Sequence, residues 1–473
     1  MVKIYPQSVV GRYRTIKNRA SIVLLLFYFL TPWLRWHRDG NAPTQAIMID
    51  LPTRRACFFN IEIWPEEIFY ITTILIIAAF GFFLFTSILG RIWCGYTCPH
   101  TVFVDLFIKV EAFFQGSRNS RIALDKMPMN SSKLVKKLLT HLTWGGLSLL
   151  FASGWICYFY DAPSFCHDLF LGQLGTASRS WLFGLTLATY ILAGFMREKV
   201  CTYICPYGRF QSAMLDNDSL IVTYHSWRGE PRLQKNTKLK NFGDCVDCYR
   251  CVAVCPMGID IRDGLQMQCI GCGLCIDACD AVMSKLNQPL GLISYSSINL
   301  TEKLKKGLKA QVKLIRPKTV LYALLILIAA TIILKNLLDK SIFVLSVERE
   351  RGPLFTTLPD GDIRNTYNVY IANKALKVKD ICLETRGVTD ALIKSNMMHM
   401  GNTYQKKLCF PIEADSENRF KVFVKTKPDT SVDSEKKFTF IVRDIESDKT
   451  EAADSILISG KSLQFYTAKD LLE

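Results

Sequence analysis

Eight of the 17 cysteines lie between residues 245 and 279. Cys245, Cys248, Cys251 and Cys255 are followed by Cys269, Cys272, Cys275 and Cys279. Each half reads Cys-x2-Cys-x2-Cys-x3-Cys, the spacing of bacterial two-cluster ferredoxins. Short steps let three thiolates of one loop grip one 4Fe–4S cubane, while the fourth opens a helix that crosses to the other. Cys245, Cys248, Cys251 and Cys279 are therefore assigned to the first cluster. Cys269, Cys272, Cys275 and Cys255 are assigned to the second. Two zinc ions are the alternative use of eight thiols, but the doubled spacing favours iron and sulfide. A secreted disulfide framework does not fit tandem ligand spacing. Two neighbouring clusters make an electron wire and by themselves name no substrate.

A second pair of motifs carries thiols of another kind. CGYTCPH at 94–100 and CTYICPY at 201–207 share the pattern Cys-x-Tyr-x-Cys-Pro-x-x-x-Phe, through Tyr96 and Phe103 and through Tyr203 and Phe210. Each follows an apolar run. Thiols four apart on a helix share a face, and Pro99 and Pro206 should stop or kink that helix. The repetition reads as an internal duplication that brings Cys94, Cys98, Cys201 and Cys205 toward one spot. Four such thiols could bind a soft ion such as Cu(I), exchange disulfides, or simply pack as small apolar side chains. Arg91, Arg197 and Lys199 are expected to lower their pKa values. Weaker candidates are Cys157, Cys166 and His167, the soft side chains of MMHM at 397–400, and His141, an ionisable residue inside an apolar run. For the cysteines, His167 and MMHM, packing or surface placement is the simpler reading; His141 is a functional candidate by default but lacks a second His for a bis-histidine haem site. No Gly-rich nucleotide loop between strand and helix and no hydrolase triad is present.

Elements must position these groups. The chain has 473 residues, too many for one core. Its net charge is +16, yet Lys and Arg flank apolar runs, which points to membrane topology rather than nucleic acid. Five segments approach the roughly 20 apolar residues that span a bilayer: about 20–36, 68–90, 138–160, 180–196 and 319–338. No small-residue cleavage site follows the first, so a cleavable signal peptide is not expected. Lys and Arg number five in 1–19, seven in 99–137 and seven in 303–318, against three in 37–67 and one in 161–179. An inside amino terminus with five crossings satisfies every loop. Both thiol motifs and the Cys-rich block then lie at the cytoplasmic face, and everything after about 340 lies outside. The expected organisation is a membrane domain with four helices over 1–205, a ferredoxin-like domain over 206–316, a fifth membrane helix over 317–340, and a last domain over 341–473. The last part alternates apolar and polar residues, as in NVYIANKA and KFTFIVRD, and reads as an all-β immunoglobulin-like sandwich. Cys382 and Cys409 could pair there or remain two buried thiols.

The chain resembles the FixG/CcoG family, membrane ferredoxin-like accessory proteins of cytochrome c oxidase assembly. The resemblance runs through QAIMIDLPTRR at 45–55, both Cys-x-x-x-Cys-Pro motifs, CVAVCPMGIDIRDGLQMQCIGCGLCIDACD at 251–280, GLISY at 291–295, VERERGPLF, and DGDIRNTYNVYIANK. Within the second cluster loop, Gly271 and Gly273 carry no weight in it. It implies a multi-pass protein of the bacterial inner membrane with a periplasmic carboxy-terminal domain. The implied partners are the cbb-type oxidase and its copper-delivery proteins, and the implied activity is an oxidoreductase reaction, reduction of Cu(II) to Cu(I). A soluble donor would reduce the cluster pair, and electrons would pass to copper at Cys94, Cys98, Cys201 and Cys205. Two rivals stay open: a quinol-linked electron-transfer subunit, and a non-enzymatic scaffold or copper chaperone.

Overall fold

The computed structural model describes residues 3–38, 43–52, 54–63, 68–232, 242–308, 311, 313–338, 343–350, 355–373, 378–388, 390–396, 403–413, 416–427, 435–445 and 450–458. MMHM at 397–400 lies outside them. The chain divides into two compact units, one holding residues 1–36 and 44–334, the other 37–43 and 335–473. The helical part and the Cys-rich block thus belong to one unit.

Every apolar run forms a helix: Arg12–Leu30, Ile68–Leu89, Ser131–Ile156 and Thr176–Ile191 in that unit, and Pro317–Leu338, whose last residues belong to the second. Two, Phe69–Leu89 and Pro317–Asn336, are long and apolar enough to cross a membrane. The other three fall short for visible reasons. The first spends its opening turns on Arg12, Arg14, Lys17 and Arg19, the apolar run of the third is interrupted by Thr140, His141, Thr143, Gly145 and Gly146, and the fourth has only 16 residues before its hydrogen-bond pattern widens. All three nevertheless present exposed apolar side chains, among them Ile22, Phe27, Leu142, Trp155, Trp181 and Phe183.

These helices meet around the helix Pro99–Gln115. Phe103 stacks on Phe151 with centroids 3.9 Å apart, and Phe107 stacks on Trp144 at 5.4 Å. The Trp144 indole donates to the Phe107 carbonyl at 3.1 Å. Offset aromatic stacks of this kind add to simple area burial. The same helix buries Glu111, which meets Arg197 at 2.8 Å and Arg121 at 3.6 Å. Asp105 is held by Arg14 at 2.8 Å. Buried carboxylates persist only when paired in this way.

The Cys-rich block is built on a two-stranded antiparallel sheet, Ile221–Tyr224 against Ile293–Ser296, and the helix Leu274–Lys285. The first helix docks on it directly. Gly11, at the amino end of Arg12–Leu30, supplies no capping side chain. Instead Asp277 accepts from the backbone N–H groups of Tyr13 at 3.1 Å and Arg14 at 2.7 Å. A carboxylate there satisfies orphan donors and complements the helix dipole.

The second unit is a sandwich of two antiparallel sheets. One runs Leu392–Ser395, Ser416–Thr426, Ile363–Asn373, Phe343–Arg349, with Thr356–Thr357 also pairing the third. The other runs Lys407–Ile412, Lys379–Arg386, Glu435–Asp444, Thr450–Ile458. The alternation read in the sequence becomes alternate burial: Tyr367, Val369 and Ile371 point into the core with Leu383, Val422 and Phe440. Cys382 and Cys409 face each other in register and form a disulfide, so the pairing left open by the sequence is made. It closes a separation of 27 residues. Reducing it should lower the stability of this unit by about 3 kcal/mol. Hydrogen exchange on strands 379–386 and 407–412, with and without reductant, checks this; equal protection in both states would contradict it.

Candidate functional site

Two cavities lie inside the Cys-rich block. The first is lined by Cys245, Cys248, Cys251 and Cys279, the second by Cys255, Cys269, Cys272 and Cys275, with Cys251 between them. Both are small, with largely apolar walls. Cys275 and Cys279 sit one turn apart on the helix Leu274–Lys285, so a single helix contributes a thiol to each cavity. Among the described residues, no three His, Cys, Asp or Glu side chains converge as a single bare ion requires. Zinc draws its thiolates in to about 2.3 Å each; a cubane holds them farther apart. Four soft donors around each apolar cavity therefore fit 4Fe–4S clusters.

The backbone repeats as well as the thiols. Asp247 and Tyr249 take positive φ, 50° and 55°, two and four residues after Cys245. Gly271 and Gly273 take 63° and 71° at the same offsets from Cys269. Successive residues of this kind turn N–H groups toward an anionic centre. Gly271 and Gly273, given no weight in the sequence, thus set the shape of the second loop. In the first loop the strain is held from outside: Arg262 pairs with Asp247 and Asp260 and stacks over the Tyr249 ring at 4.2 Å.

The thiol motifs also share a backbone device. Cys98 N–H donates to the Trp93 carbonyl at 3.0 Å, and Cys205 N–H to the Val200 carbonyl at 2.8 Å. Both bonds span five residues, wider than an α-turn. Both second cysteines then run extended, with ψ of 125° and 112°, and Pro99 and Pro206 start the next helices. The expected shared helix face is therefore not formed: Cys94 lies in the short helix Ile92–Tyr96 and Cys98 beyond it. The four thiols share one neighbourhood, since Cys94 and Cys201 each feel the charge of Cys98 and Cys205, but no three of them converge as a single-ion site requires.

Burial pushes the Cys94 thiol up to about 12 and Cys201 to about 11, against a smaller downward pull from Arg91. This reverses the expected lowering. Arg197 is spent on Glu111 and the Gly194 carbonyl, and desolvation outweighs the one cation that remains close. The Cys94 S–H donates to Gln211 Oε1 at 3.0 Å, which also accepts from Arg91 Nε at 3.3 Å. Gln211 was not singled out by its sequence context.

The first thiol motif rests on the second cluster loop. A Cβ at Gly95 would come within 2.9 Å of the Cys272 Cα and the Ile270 carbonyl oxygen. Tyr96 OH donates to the Cys272 carbonyl at 2.9 Å, Tyr295 OH to the Gly271 carbonyl at 2.6 Å, and Arg91 to the Met267 carbonyl. Cys94, Cys201, Cys255 and Cys272 share one packed cluster. The other candidates are placed differently. His141 Nδ1 pairs with Tyr190 OH at 2.9 Å within an aromatic group. Cys157 is buried with half-buried Cys166, while His167 is exposed beside Asp168. Replacing Gly95 by Ala should displace the second loop and lower bound iron from about eight to about four per chain. Iron and sulfide counting tests this, and full retention would mean the seat is loose.

Sequence comparison agrees with this anatomy. A 4Fe–4S dicluster domain family matches residues 196–298, a 4Fe–4S binding domain family matches 71–120, and the IG-like fold at the C-terminus of FixG matches 333–460. The chain is 40% identical to the nitrogen fixation protein FixG of Rhizobium meliloti, over 94% of this chain and 90% of that protein. It is 44% identical to protein RdxA of Cereibacter sphaeroides, over 78% of this chain and 79% of that protein, and 42% identical to RdxB of the same organism, over 82% of each. Identity of this extent, sustained from the thiol motifs to the sandwich, makes the chain a member of the FixG family.

Proposed function

We propose that this iron–sulfur electron-transfer protein reduces Cu(II) to Cu(I) at Cys94, Cys98, Cys201 and Cys205, in support of cbb-type cytochrome c oxidase assembly. The observation that carries the reading is the seat of Gly95 on the Cys272 backbone, which sets a soft-metal thiol group against a cluster ligand. When bound, the clusters supply one-electron transfer, and Cu(II) needs one electron. The chain's own residues do the rest. Thiolates favour Cu(I) over Cu(II), and a pair of them satisfies the ion. Gln211 holds the Cys94 thiol in place, and Arg91 holds Gln211.

The same reading puts five helices across the inner membrane, with the thiols at the cytoplasmic edge and the sandwich in the periplasm. The Lys and Arg distribution and the two strongly apolar helices support it.

Anaerobic stopped-flow mixing of reduced protein with Cu(II) tests the activity. The double variant Cys94→Ser/Cys98→Ser should lose at least tenfold in rate while keeping about eight iron per chain. Persisting reduction removes the thiols from the path, copper bound without turnover makes the protein a carrier, and an iron count well above eight puts iron at the thiols. Copper affinity should also depend on pH. At neutral pH the Cys94 and Cys201 thiols, near 12 and 11, are protonated. Each must release its proton on binding, so affinity rises with pH, by up to about tenfold per unit for each proton released. Chelator competition at roughly pH 6 and 8 measures this, and a flat profile would exclude both thiols as ligands.

A further inference from the structure

Between the helices Arg12–Leu30, Pro99–Gln115, Ser131–Ile156 and Thr176–Ile191 lies a cavity of about 640 Å³ that neither the clusters nor the copper thiols use. Its size is that of an organic-ligand site. The walls are largely aromatic and aliphatic, with Tyr28, Phe103, Phe151 and Tyr158 among them, and no charged side chain lines it. Thr97 and Pro99, the residues on either side of Cys98, line it. Phe27 and Trp155 in its wall are 64% and 51% exposed and sit among other exposed apolar side chains. With these helices in the bilayer, as proposed above, that wall meets lipid rather than water.

The polar inventory narrows the class. The hydroxyls of Tyr28 and Tyr158 are committed to the carbonyls of Phe151 and Tyr28. Thr97 Oγ1 donates to the Trp93 carbonyl and keeps acceptor capacity. The Thr189 hydroxyl lines the cavity and has no partner among the described residues. Uncharged hydroxyls suit a neutral head that donates and accepts hydrogen bonds. A phospholipid head would bring its charge into a wall with nothing to pair it.

We infer that this cavity binds a membrane-soluble isoprenoid quinol, which delivers electrons to the thiol site one residue away. The inference rests on the copper reading above and names its reductant, in place of a soluble donor. The step balances. One quinol gives up two electrons and two hydroxyl protons to become quinone. Two Cu(II) ions each gain one electron, and the protons leave to water.

The test uses the full chain with its iron in phosphatidylcholine nanodiscs, without oxygen. Decylubiquinol or dithionite is the reductant, and a chromogenic chelator reads Cu(I). One quinol should be consumed per two Cu(I) formed. Ala152→Phe and Val102→Phe, which fill the cavity from two helices, should each lower the ratio of quinol-driven to dithionite-driven rate at least tenfold, with cluster absorbance near 400 nm reporting intact protein. Independently of turnover, an azido-quinone should photolabel the unmodified chain within residues 151–159, and excess decylubiquinol should compete. Reduction by dithionite but not by quinol overturns the inference and leaves the copper reading standing. Reduction by neither removes the copper reading, and the photolabel then decides the quinone site alone. Labelling elsewhere, or none, overturns that site and leaves the cavity to lipid acyl chains.

Discussion

The absence of one methyl group, at Gly95, is the constraint on which the site depends. With no Cβ, the turn after Cys94 lies directly on the backbone that carries Cys272. Three side chains then fasten that contact from outside: Tyr96 on Cys272, Tyr295 on Gly271 and Arg91 on Met267. All three donate to carbonyl oxygens of the loop. The thiol motif and the cluster loop are in this sense one piece of structure, which is why the helical part and the Cys-rich block fall into the same compact unit.

The two thiol motifs share their turn but not their surroundings. Tyr96 is buried against the cluster loop, whereas Tyr203, its counterpart, is 68% exposed. Phe103 stacks on Phe151, while Phe210 is exposed. The same sequence pattern is used once as an inner wall and once as an outer one. The second copy is preceded by one widened, five-residue hydrogen-bonded turn at Leu192–Met196 and begins inside another at Val200–Ile204. Such widenings re-aim side chains without breaking a helix, and here they carry Cys201 toward Cys94.

Much of this was legible in the sequence because it is local. Cysteine spacing separates two loops, and proline after cysteine marks where one helix ends and another begins. Alternation over NVYIANKA identifies a sandwich strand. What could not be read arises from contacts between distant segments. The sum of burial and charge at Cys94 depends on what packs over it, and proximity to Arg91 alone suggested the wrong sign. The shared helix face failed because a five-residue turn and an i,i+4 pair look alike as letters. Gly271 and Gly273 looked incidental because the other loop places Asp and Tyr at the same φ, with Arg262 to hold them. The disulfide required knowing that Cys382 and Cys409 are cross-strand partners.

Asp277 adds a consequence for biogenesis. It lies midway between Cys275 and Cys279, and its carboxylate caps the amino-terminal helix. Whatever orders that turn orders the cap with it. Iron capture by Cys275 and Cys279 and the seating of the first helix therefore draw on a single helical turn.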